Sequence, residues 1–168
     1  MRLKPSTLIV DFNKIPEQGK VWVFPSSRKF YPQEIDGLQQ RISTFLNTWE
    51  DQNNCLTCAY ILKYERFIIF AIDTSEINLS LKAHEALTSF IQELENQYNI
   101  MLLDRMNVCY KQGDFVQYKD LKAFKKLIKD KAVSKKTVVF NNMINIKEEL
   151  NYDWEINIMD SWLGRFVK

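Results

Sequence analysis

Four glycines in 168 residues, none close to another, leave no loop able to wrap its backbone amides around a phosphate. Neither GxxxxGK[ST] nor GxGxxG occurs, so the glycine-rich routes to ATP and dinucleotide binding are closed. Histidine is rarer still: His84 stands alone, and no GxSxG elbow exposes a serine beside it, so a hydrolase triad has no anchor. The three cysteines are Cys55, Cys58 and Cys109. A single CxxC lacks the second pair that a structural zinc site requires, and residues three apart on an extended strand face opposite ways. The thiols therefore read as core or half-buried groups of a reducing compartment, and no metal or cofactor is expected. No apolar run reaches the roughly 18 to 20 residues of a membrane span. The opening "MRLKPSTLIVDFNKIP" is broken by Asp11 and lacks a small-residue cleavage pattern, which makes a cytoplasmic protein the expectation. Neither sign of charge dominates, and a net +2 exerts no general pull on nucleic acid or on an anionic bilayer.

What is present is apolar: 46% of the residues are hydrophobic and 13% aromatic, enough for a core without staples. All four prolines, Pro5, Pro16, Pro25 and Pro32, fall in the opening, which reads as strand and loop around "KVWVF". From Pro32, Ile35, Leu38, Ile42, Phe45, Leu46 and Trp49 recur at helical spacing. A hairpin is predicted in "CLTCAYILKYERFIIFAID", with its turn near Tyr64 and Glu65 and a second strand apolar on both faces. A helix follows over Leu81 to Tyr98, then a hairpin in "NVCYKQGDFVQY" turning at Gly113-Asp114. A third helix around Asp120 to Lys129 and a short strand "TVVFNN" complete the pattern. The expected architecture is a single α+β domain over residues 1–168, with a mixed or antiparallel sheet, two hairpins and about three helices.

Candidate chemistry sits at element ends. "FIIFAIDTSEINLSLKAHEAL" ends a strand in Asp73 and leads into the helix that carries His84, an arrangement where amides and a helix dipole can converge. His84 lies at the margin of that helix's apolar face, and Glu85, about 100° away around it, is badly placed to orient the ring. A boundary histidine is the expectation. Other polar groups fall where elements stop: Arg28, Arg105, Asn141, Asn142, Asp160 and Trp162. They form either a ligand- or partner-binding cleft or a hydrogen-bond network that locks loops together. "KDLKAFKKLIKDKAVSKK" places eight lysines against two aspartates. Lys122, Lys125, Lys126 and Lys129 form a basic face that is either solvated or in contact with phosphates; lysines without arginine forks or stacking aromatics argue against nucleic acid.

"VWVF" with Arg28, the helix ending at Trp49, "FIIFAID", "DRMNVCY", "TVVFNN" and "DSWLGRF" together resemble, in order along nearly the whole chain, a family of short bacterial proteins labelled "ABC transporter ATPase". No P-loop or LSGGQ signature accompanies the label here. The family pattern implies a Gly-Cys-Ser stretch and an aspartate between the Asp73 strand and the next helix, where this chain has "NLSLKAHEAL" instead.

These readings converge on a non-catalytic binding or interaction protein with a protein or small ligand as its partner. Two alternatives stand beside it. One is an enzyme built on Asp73, Arg105 and Asn141 with residues 74–80 as a lid; the other is nucleic-acid binding through the lysines of 119–136. The aromatic C-terminus is expected to dock on its own domain, with Trp162 in the core and Asp160 capping a short last helix.

Overall fold

The computed structural model of the protein describes residues 7–52 and 54–167, so Pro5 lies outside the described residues. Along the chain come β1 (Leu8–Ile9), β2 (Lys20–Pro25), α1 (Pro32–Thr48), β3 (Glu50–Asp51), β4 (Asn54–Cys55), β5 (Thr57–Lys63) and β6 (Phe67–Ile72). Next are α2 (Leu81–Tyr98), β7 (Val108–Gln112), β8 (Phe115–Lys119), α3 (Leu121–Lys129), β9 (Val138–Phe140) and β10 (Glu155–Asn157). Two four-stranded sheets result, one ordered β1-β5-β6-β2 and one β10-β9-β7-β8, with β3 and β4 forming a separate ribbon. The first sheet is mixed, because β1 runs parallel to β5; the second is antiparallel throughout.

Side-chain alternation stacks these elements into four layers. On β6, Ile68, Phe70 and Ile72 pack with Leu38, Ile42 and Leu46 of α1 and Leu87, Ile91 and Leu94 of α2. The intervening Phe67, Ile69 and Ala71 face the second sheet, meeting Cys109, Phe140 and Trp154. All six β6 residues are buried, as a central strand covered on both faces requires. The far side of the second sheet, Val108, Tyr110 and Val139, is covered by Phe124 of α3 together with Val133, Ile158 and Leu163.

Local chemistry sets the boundaries. Pro32 occupies the first turn of α1, and the Glu34 carboxylate accepts the Tyr31 N–H at 2.8 Å. Ser80 caps α2 by accepting Ala83 N–H, and Asp120 caps α3 in the same way. Gly113 takes φ +62° in the β7–β8 turn, where nothing lies within 4 Å of an added Cβ, so its left-handed backbone, and not crowding, is what favours glycine.

The C-terminal segment docks on its own domain: Trp154, Ile158 and Leu163 are buried. Two expectations about it fail. Trp162 is 44% exposed, and Leu163 takes the core position instead. The last helix, Trp162–Phe166, is capped by Ser161, whose hydroxyl accepts Leu163 N–H at 3.1 Å, while Asp160 is exposed one residue earlier. It is a 3-10 helix with three residues per turn, so its inward face falls on a different residue than α-helical spacing implies. Among the described residues, no helix is long and apolar enough to cross a membrane.

Candidate functional site

Of the polar groups at element ends, Arg28, Asp73, Asn141 and Asn142 are each bound to their own neighbours. Arg28 grips Glu34 with two nitrogens, at 2.8 and 3.1 Å, and donates to the Tyr98 carbonyl at 2.9 Å. It thereby ties the first turn of α1 to the last turn of α2. The bidentate bond raises the Arg28 pKa and lowers that of Glu34. Asp73 folds back on Ser75, accepting its N–H at 2.9 Å and its hydroxyl, which lowers the carboxyl pKa. Arg105 lies 5.6 Å from the Phe24 ring, and burial lowers its pKa. Asn141 bonds Asp153 and Met143, and Asn142, buried, accepts the Trp154 indole N–H at 3.0 Å.

The three residues of the enzyme alternative sit on different elements and share no hydrogen bond or ion pair among the described residues. Asp73 follows β6 of the first sheet, Arg105 sits over a ring that faces the helical layer, and Asn141 follows β9 of the second sheet. Arg28 lies past the opposite end of the first sheet from Asp73, since Pro25 pairs with Phe67 and Lys20 with Ile72, a span of roughly 20 Å at the usual strand rise. No hydrogen bond or ion pair joins any two of Arg28, Asp73, Arg105, Asn141 and Asp160 among the described residues. The strand-loop-helix at Asp73 is equally self-contained, because the Ser80 N–H already points at the Asp51 carboxylate at 3.3 Å.

His84 is half-buried, with its ring 5.5 Å from Trp22 in an edge-to-face contact. Cys58 and Cys109 are buried, and burial pushes both thiols up to about 12, which leaves them protonated at neutral pH. Cys55 is exposed on β4. No group of three or more metal-ligating side chains occurs among the described residues.

A concavity does exist, in the outermost layer. A groove of about 800 Å³ runs between the C-terminal half of α3, the turn that follows it and the end of the chain. Its floor is Ile128, Val133, Phe166 and Val167, and its rim carries Lys125, Lys129, Lys131, Lys135 and Lys136. Among the described residues no side-chain carboxylate lines it, and none of the five lysines makes an ion pair. Lys125 rests its ammonium 4.4 Å from the Phe166 ring, and Arg165 approaches the same ring at 4.9 Å. Trp162 packs edge-on to Phe166 at 6.2 Å, which extends the apolar surface beyond the floor.

Two of the four basic-face residues read from the sequence, Lys125 and Lys129, line this groove, whereas Lys122 and Lys126 are exposed and do not. Lys131 takes φ +62° as it closes the helix, with Ala132 N–H donating to the Leu127 carbonyl at 2.9 Å. Glycine is the usual occupant of such a position. The sequence shows the lysines; it holds no sign that Phe166 and Val167, some forty residues on, return beside them. No protein-family profile, curated protein or solved structure matches the chain.

Proposed function

We propose that the protein is a cytoplasmic, non-catalytic binding or interaction protein, and that the α3 groove receives a partner that is anionic and apolar at once. The observation that carries this reading is the pairing of an apolar floor with five lysines that have no acidic partner among the described residues. A solvated helix face needs no floor, and a core-covering groove needs no such rim. Clustered ammonium groups repel one another, and an anion seated among them removes that cost. The reading takes Arg28, Asp73 and Asn141 as structural, because each is already engaged locally. Kinship with the short bacterial family labelled "ABC transporter ATPase" is proposed on motif order alone, and the binding reading does not depend on it.

Trp162 is placed to report the test. Dodecanoate below its micellar concentration is expected to change Trp162 emission saturably, while dodecyltrimethylammonium does not. W162F should remove the signal, and K125E/K129E/K136E should weaken binding about tenfold, equivalent to roughly 1.4 kcal/mol. Equal responses to the two amphiphiles, or an unchanged affinity in the triple variant, would contradict the proposal.

A further inference from the structure

Resting on that reading of the groove, we infer that its occupant is an acidic, amphipathic α-helical segment of a partner protein. Three features favour it over a small amphiphile or a nucleic acid strand. The rim carries five ammonium groups around one floor. A single acyl carboxylate satisfies one or two of them, whereas a helix with Asp and Glu on both flanks of an apolar stripe reaches several.

The second feature is the character of the floor. It is aliphatic except for Phe166, and two cations of the chain itself stand within 5 Å of that ring. Bases stack on successive aromatic faces, and here the Phe166 ring is covered by cations, which leaves Trp162 beside it as a single exposed ring. The third feature is backbone supply. The groove is lined by α3, the turn after it and the chain end, and no strand contributes a residue. An extended peptide would find no ladder to join there, while a helix satisfies its own N–H and C=O groups and presents side chains at i, i+3, i+4 and i+7. Trp162, exposed beside Phe166, adds an aromatic anchor of the kind that dominates such interfaces.

The test uses a phage-displayed library of random peptides of roughly 15 residues, about four helical turns. It is selected on the full chain, with K125E/K129E/K136E for counter-selection. Enriched peptides should be net acidic with apolar residues at helical spacing. A synthetic copy should gain helical circular dichroism on binding, bind the triple variant about tenfold more weakly, and lose affinity as salt rises from roughly 0.05 to 0.5 M. Groove-dependent peptides that lack acidic residues or alternate like strands would overturn the helix inference and leave the groove reading standing. Groove-dependent binding of oligothymidylate without acidic peptides would overturn it in favour of nucleic acid. If peptides, oligothymidylate and dodecanoate all fail to distinguish the two proteins, the groove reading falls as well. Should the triple variant misfold, K129E alone, checked by circular dichroism, replaces it in each comparison.

Discussion

Arg28 reads in the sequence as a polar group at an element end, and in the fold it is engaged locally. Its guanidinium holds Glu34 and the Tyr98 carbonyl, and its face covers the Tyr31 ring at 4.3 Å. The lowered pKa of Glu34 fixes the sign of its pH dependence. A carboxyl depressed in the folded state contributes stability that is present above the ordinary glutamate range, near 4.3, and lost as pH falls through the folded value. Glu34→Gln keeps an oxygen able to accept the Tyr31 N–H but removes the charge facing Arg28, and is expected to lower stability at pH 7 by about 0.5–1 kcal/mol, the worth of a part-exposed ion pair. It should also flatten the acid limb of a plot of Tm against pH, read by circular dichroism. A variant whose acid limb matches that of the parent protein would mean that the ion pair contributes nothing. The same caution applies to Asn141 and Asn142, whose side chains fasten the Trp154 segment to the second sheet.

At the scale of elements, α3 carries the account, and its last turn shows a cost that packing does not explain. Lys131 holds a left-handed backbone where glycine is cheaper, and its side chain stands on the groove rim. Lys131→Gly is expected to stabilise the fold by about 0.5–1 kcal/mol, a rise of roughly 2–4 °C in Tm per kcal/mol for a chain of this size. It should simultaneously weaken dodecanoate binding, as removal of a rim cation requires. Calorimetry and the Trp162 titration read the two effects separately, and a variant that is less stable yet binds as well as the parent would contradict the role assigned to this turn. Elements of this length were the legible part of the sequence. α1 and α2 announce themselves by three- and four-residue spacing, and the two long hairpins by alternation and a turn. β3, β4 and β10 span two or three residues each, too short to show any period. Trp162 was misplaced because a 3-10 turn does not keep the α-helical face.

The whole molecule is a stack in which two inner sheets are sealed, by α1 and α2 on one side and by α3 with the chain end on the other. The central strand β6 is buried on both faces, Leu8 and Phe115 on edge strands are exposed, and the outer layer around α3 leaves Ile128, Phe166 and Val167 partly uncovered among lysines. Such a site cannot be read from the sequence, since its floor comes from two segments that only the tertiary fold brings together. The central claim is that partners bind at this outer layer and not at the strand ends, and residue-resolved amide shift mapping tests it most directly. Titration of the isotope-labelled protein with dodecanoate should perturb the amides of residues 125–136 and 165–167 while leaving 73–80, 104–107 and 141–145 unchanged. Perturbations centred on Asp73, Arg105 and Asn141, with the α3 groove silent, would contradict the account.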